Sequence, residues 1–152
     1  MIEGIHFQNA YITRDVSKWI DVFKAQADVR KLLTHEGSVD LWTPAGLVTQ
    51  TTKLAFIWVG DLQFELIQPI SGADIYSEAL PNDDGLKFHH ICNRVADWDS
   101  FRARVDKQSY PVVLERGGDA LRFLYLDTRA FLGHYIEYVW MTDERWAQLG
   151  GR

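Results

Sequence analysis

The chain states one pattern twice. Near its start, Gln8-Asn-Ala-Tyr-Ile-Thr-Arg-Asp15 leads into Val16-Ser-Lys-Trp-Ile-Asp-Val-Phe23; eighty-two residues later, His90-Ile-Cys-Asn-Arg-Val-Ala-Asp97 leads into Trp98-Asp-Ser-Phe-Arg-Ala-Arg-Val105. Each half also closes on an apolar run that carries a glutamate, Leu62-Gln-Phe-Glu65-Leu-Ile-Gln-Pro69 and Gly133-His-Tyr-Ile-Glu137-Tyr-Val-Trp140. A unit of a few strands and one helix has a sheet face that it cannot bury alone, so two such units must pair. Polar groups at equivalent places, Gln8, Glu65, His90 and Glu137, are then expected to meet in the groove that the pair encloses.

Periodicity fills in the elements. A strand is expected over residues 5–13, and Asp15 or Ser17 can cap a helix whose Val16, Trp19, Ile20 and Phe23 share one face. Leu32 to Thr43 reads as a strand interrupted at Glu36-Gly37-Ser38 and broken at Pro44-Ala-Gly46. Lys53–Val59 and Leu62–Gln68 read as a hairpin turning at Gly60-Asp61. Residues 69–87 are linker-like, with a short helix around Ile75 to Leu80. The order then restarts: strand 88–95, helix 98–108, strands 111–116, 121–127 and 134–140, and a capped helix over 142–149. The expected fold class is α+β. Two pseudo-equivalent βαβββ modules (about 5–68 and 88–140) pair into a curved mixed sheet around a central groove, all within one domain of residues 1–152.

Composition removes several function classes. A net charge of −5 gives no broad basic surface for nucleic acid. No apolar run approaches the roughly 20 residues of a membrane helix, and Met1-Ile-Glu-Gly lacks the basic and apolar regions of a secretory leader. Cys92 is the single cysteine, so no internal disulfide forms and a reducing, cytoplasmic location is expected.

Strand alternation decides which side chains meet. Gln8 shares a face with His6, Ala10 and Ile12; His90 shares one with Cys92 and Arg94, while His89 points the other way. Glu65 and Glu137 interrupt runs that would otherwise be core, flanked by Phe64, Leu66, Ile136 and Tyr138. A buried carboxylate pair is costly unless compensated, and a divalent cation held by two carboxylates, an imidazole and an amide oxygen would compensate it. The other reading of each glutamate is a solvated position on a one-sided sheet. His6 competes with Gln8 as first ligand, but the spacing of Gln8 to Asp15 equals that of His90 to Asp97.

These residues resemble the vicinal oxygen chelate superfamily, which includes glyoxalase I, methylmalonyl-CoA epimerase, extradiol dioxygenases and bleomycin resistance proteins. The resemblance covers nearly the whole chain and rests on Phe64-Glu-Leu-Ile-Gln-Pro69, Phe88-His-His-Ile-Cys-Asn-Arg-Val95 and Gly133-His-Tyr-Ile-Glu-Tyr138. It implies a metal held by Gln8, Glu65, His90 and Glu137, a set similar to that of glyoxalase I and close to that of the epimerase. The metal would be Zn, Ni, Co, Mn or Mg. The implied chemistry is isomerisation or epimerisation, with Glu137, then Glu65, as the base that takes a proton from the carbon next to a metal-bound carbonyl.

Glutathione is not the expected partner. The arginines that hold it in glyoxalase I are replaced here by Ile12 and, before the third ligand, by Leu86 and Lys87. Trp42, Phe56, Trp58, Phe123, Tyr125 and Trp140 could line a pocket for a bulky or cyclic carbonyl substrate, with His6, Cys92 and Arg94 near it. Three alternatives stand beside this reading: a metal-free binding protein of the resistance type, a lyase, and an Fe(II) extradiol-type dioxygenase. Gln8 and the extra Glu65 argue against the last. A homodimer is expected.

Overall fold

A computed structural model describes residues 2–152. The order of elements is β1 (Ile5–Ile12), α1 (Val16–Gln26), β2 (Lys31–Thr43), β3 (Gly46–Val59), β4 (Leu62–Ser71), α2 (Asp74–Ser77), β5 (Lys87–Arg94), α3 (Trp98–Val105), β6 (Val112–Arg116), β7 (Leu121–Leu126), α4 (Arg129–Leu132), β8 (Tyr135–Met141) and α5 (Asp143–Leu149). The expected α+β class holds, but the sheet goes further than a curved groove. It closes into an eight-stranded barrel in the order β1-β4-β3-β2-β6-β7-β8-β5.

Parallel pairs β1–β4 and β5–β8 flank the antiparallel pair β1–β5; the remaining neighbours are antiparallel. On the far side, β2 and β6 touch through the single register pair Trp42↔Glu115.

Helix positions follow from caps and apolar faces. Asp15 Oδ1 accepts from the Lys18 amide at 3.1 Å, Asp97 Oδ1 from the Ser100 amide at 3.1 Å, and Thr142 Oγ1 from the Arg145 amide at 3.2 Å. Val16, with Trp19, Ile20 and Phe23, packs α1 on the outer face of the barrel against Ala55, Ile57 and Leu66. Trp98, Phe101 and Val105 pack α3 on Leu124, Ile136 and Tyr138. Because both helices cover the outside, the inside is left for a second core and a cavity.

Two expectations change. Leu32–Thr43 is not interrupted at Glu36-Gly37-Ser38: β2 pairs continuously with β3 from Lys31↔Trp58 to Thr43↔Gly46. Gly37 lies opposite Thr52 inside a regular ladder, so the flanking pairs carry the glycine through. The partner strand accordingly begins at Gly46 rather than at Lys53. The short α4 was not expected; Gly133, at φ 81°, ends it.

Candidate active site and metal centre

Four neighbouring staves, in the order β4-β1-β5-β8, carry the four expected ligands one each: Glu65, Gln8, His90 and Glu137. Ala10 stands in register with both Glu65 and His90, and Cys92 stands between Gln8 and Glu137. Both positions need small side chains, because anything larger would fill the space where the four meet.

A pair of bulges aims them. The register of β1 against β5 skips Phe7 and skips His89. A bulged residue bends its strand and re-aims a side chain, so strict alternation fails at both places. Phe7 and Gln8 are buried together, as are His89 and His90, whereas His6 is exposed. His6 therefore does not share the interior with Gln8; its Nε2 lies 2.8 Å from Asn9 Oδ1. His89, expected to point away, instead turns inward.

His90 is completely buried; Glu65 is 8% exposed, Glu137 9% and Gln8 4%. His90 Nε2 lies 3.0 Å from Glu137 Oε2, 3.5 Å from Glu65 Oε2 and 3.3 Å from the Tyr125 hydroxyl. One ligand atom from each of Glu65, His90 and Glu137 lies within 4.8 Å of the others. Gln8 Nε2 donates to Gln63 Oε1 at 2.6 Å, which leaves Gln8 Oε1 buried without a partner. A buried acceptor of this kind beside two carboxylates and an imidazole lone pair fits a divalent cation of borderline hardness.

The tautomer of His90 follows from its neighbours. His89 Nε2 lies 2.8 Å from the Ile75 carbonyl, which can only accept, so this nitrogen carries the proton. His89 Nδ1 then accepts from Nδ1–H of His90 at 2.8 Å, leaving His90 Nε2 to face the carboxylates. Burial, and then the charge of His90, lowers His89 to about 3, so it stays neutral.

Without a cation, burial opposes charge on His90, but hydrogen bonds to Glu137 and Glu65 and their negative charge outweigh it and lift the imidazole to about 9. Burial also raises Glu65, helped by the like charge of Glu137 and opposed by His90. Tyr76 donates to the Tyr125 hydroxyl at 2.9 Å, and burial pushes both phenols well above their ordinary range. They remain neutral donors. Burial likewise pushes the Cys92 thiol up, which disfavours the thiolate a nucleophile would need.

The site lies in a cavity of about 460 Å³ that Gln8, Glu65, Cys92, Phe123, Tyr125 and Glu137 help to line. Besides His6, four expected pocket residues lie elsewhere. Trp42 is 43% exposed. Trp58 is buried, stacks on Phe7 and donates Nε1–H to the Leu149 carbonyl at 2.8 Å, which anchors the end of α5. Arg94 leans over Trp146 and pairs with Asp143 at 3.4 Å. Trp140 is half-buried, carries the Arg122 guanidinium and borders a separate shallow surface pocket.

Tyr76, Arg116 and Arg145 also line the cavity, and no motif in the sequence singles them out. Tyr76 arrives on α2, which is held in place where Gln50 Oε1 accepts the Ala73 amide at 2.6 Å.

Known structures share this architecture. Methylmalonyl-CoA epimerase from Mycobacterium tuberculosis matches at 19% identity over 97% of each chain, with a TM-score of 0.66. A Streptomyces coelicolor methylmalonyl-CoA epimerase variant in complex with 2-nitronate-propionyl-CoA matches at 16% identity, over 92% of this chain and 96% of that one, with a TM-score of 0.64. A hypothetical protein from Bacillus halodurans matches at 18% identity, over 91% and 94%, with a TM-score of 0.64. Comparison with curated proteins by sequence returns no match. The sequence pattern of one family does match, across residues 7–125. The chain belongs to the glyoxalase/bleomycin resistance protein/dioxygenase superfamily, the vicinal oxygen chelate proteins.

Proposed function

We propose that this protein is a divalent-metal-dependent isomerase or epimerase that moves a proton at the carbon next to a carbonyl. One observation carries the reading: Glu65 and Glu137 flank the same nitrogen of His90, at 3.5 and 3.0 Å, at one wall of a cavity large enough for a small molecule. Gln8, Glu65, His90 and Glu137 would hold the cation. When bound, it would polarise a carbonyl oxygen as a Lewis acid.

The chain's own groups do the rest. In this reading Glu137 takes the proton from the carbon, and Glu65, the other carboxylate at the same His90 nitrogen, is second choice for the same work. Tyr125 Oη, held by Tyr76, offers a neutral donor toward developing negative charge. Paired modules are part of this reading, supported by matching registers: Gln8↔Gln63 and Ala10↔Glu65 in one half, His90↔Tyr135 and Cys92↔Glu137 in the other. The resemblance to epimerases of methylmalonyl-CoA makes that thioester the first substrate to try.

The test begins with elemental analysis of untagged protein purified without chelator, wild type beside His90→Ala. The expected result is one divalent ion per chain, lost in the variant, together with exchange of the substrate proton in deuterated water. Glu137→Gln should keep the metal and lose about a hundredfold or more in exchange. Retained metal with full turnover would remove Glu137 as the base.

A second reading has its own support. A protonated His90 already neutralises much of the carboxylate pair, so a metal-free binding protein can be built on the same residues. Absence of metal even after incubation with divalent ions would select it.

A further inference from the structure

Charge in the cavity wall is sorted by sign. The acids that line it are Glu65 and Glu137, and the permanent cations are Arg116 and Arg145. Every other arginine in the chain donates to a carbonyl or carboxylate; Arg30, for example, holds the carbonyls of Gly60 and Gly150, and Arg102 holds Glu115. Among the described residues, Arg116 and Arg145 are the arginines whose guanidinium groups have no acceptor and no ring beneath them. That the unpartnered arginines are also those of the cavity is what needs explaining.

Topology puts both at one end. Arg116 closes β6, just before the turn into β7, and is in register with Phe123. Arg145 lies in the first turn of α5, and the amide of the capping residue Thr142 donates to the Ala120 carbonyl in the connection between β6 and β7. Glu137, by contrast, is in register with Tyr125, two residues further along β7, and four residues before Met141 at the end of β8. At strand spacing this separates the arginine end from the carboxylates by about 7 to 13 Å along the barrel. The wall between is apolar: Val139, Met141, Leu121 and Phe123.

We infer that the cavity takes a carbonyl compound with an anionic far end, a carboxylate or phosphate gripped by Arg116 and Arg145, and an apolar middle lying against Val139, Met141, Leu121 and Phe123. The inference rests on the reading of Glu65, His90 and Glu137 as the reacting end. A guanidinium presents a planar fork of donors that matches carboxylate and phosphate oxygens, so two of them make a defined seat. The carboxylate pair repels the anionic end and the arginines attract it, so only one orientation of an elongated substrate is favourable. A chain with a net charge of −5 also needs a local positive field to draw an anion in.

Keto-carboxylates of increasing chain length, their methyl esters and the matching keto-alkyl phosphates would be titrated into wild type, Arg116→Gln/Arg145→Gln and Arg122→Gln, with binding read by calorimetry. Arg122 is a control outside the cavity, bound to Gly118 and Asp99. At the best length the anion should bind wild type and Arg122→Gln about ten- to a hundredfold tighter than its ester, and the double variant should lose that preference. Preference for the carboxylate or for the phosphate series identifies the natural anion.

Equal binding of acid and ester, a preference that survives in the double variant, or no binding by any anion would overturn the inference. Binding needs no proton transfer, so the two readings fail separately. Anion preference without solvent exchange would sink the isomerase reading alone, and exchange without anion preference would sink the tail site alone.

Discussion

Nδ1 of His89 lies 2.8 Å from Nδ1 of His90, and that contact decides which nitrogen of His90 meets the carboxylates. The chain of donors runs outward to the Ile75 carbonyl. Removing the acceptor frees the His90 ring to rotate or change tautomer. His89→Phe should weaken metal binding about ten- to a hundredfold, in line with loss of an outer partner of a ligating histidine. His89→Asn, whose amide oxygen stands near the place of Nδ1, should recover part of it. Competition titration with a chromophoric chelator reads both; an unchanged affinity in the phenylalanine variant would show that the tautomer is set elsewhere.

Metal-free protein should lose stability in alkali. His90 is lifted from about 6.5 to about 9 by its two carboxylates, so the folded state holds this proton more tightly than the unfolded chain. The contribution is fully present below about pH 6.5 and drains away as pH rises through about 9, a change on the order of 3 kcal/mol. The raised Glu65 acts with the same sign, because it too holds its proton better when folded. Thermal melts of chelator-treated protein from about pH 6 to 10 should fall across that window, and His90→Gln should flatten the curve. A flat wild-type profile would contradict the assignment.

Two glycines separate conformational strain from crowding. Gly150 has φ 105°, and a Cβ there would stand 2.7 Å from Trp58 Nε1 and 2.8 Å from Lys31 Cδ. Gly133 has φ 81° with open space around it. Gly133→Ala should cost about 1 kcal/mol, the backbone part alone, and Gly150→Ala about 2 to 3 kcal/mol more, by comparison of denaturation midpoints. Equal costs would mean that the Trp58 anchor yields without resistance.

Tyr125→Phe removes a hydroxyl that sits between Tyr76 and His90 at 2.9 and 3.3 Å. Tyr76 is left buried without that acceptor, at a cost of about 1 to 3 kcal/mol, and proton exchange should slow while metal content stays the same. Tyr76→Phe should be milder, since Tyr125 keeps its contact with His90. If Tyr125→Phe exchanges protons at the wild-type rate, the hydroxyl plays no part in handling charge.

How much of this could be read beforehand depends on where local rules hold. The glutamates of β4 and β8 were legible because alternation survives there; a carboxylate in an apolar strand is conspicuous. Equal spacing to the capping residues Asp15 and Asp97 singled out Gln8 and His90, and both cap their helices through side-chain oxygens. His6 and His89 misled for one reason. His6 neighbours a bulge and His89 sits in one, and a bulge is a property of two paired strands that neither strand announces. Aromatic residues were weaker guides: Trp42 and Trp58 lie on strands that join the barrel, yet one faces solvent and the other serves as an anchor for α5. Arg116 and Arg145 were missed because exposed arginines are ordinary, and only the pairing of all the others makes these two stand out.

The barrel's two long seams are unequal. Where β1 meets β5, seven register pairs run beneath the candidate ligands; where β2 meets β6, a single pair, Trp42 with Glu115, holds the ring shut. One side is thus a spine and the other a clasp. Fluctuations that widen the ring will concentrate at the clasp, next to Arg116, while the spine keeps the four ligand staves in register. Amide exchange should be fastest at Trp42 and Glu115 and slowest at Ala10 and Cys92. Breathing on that side can open the arginine end without disturbing the geometry at His90.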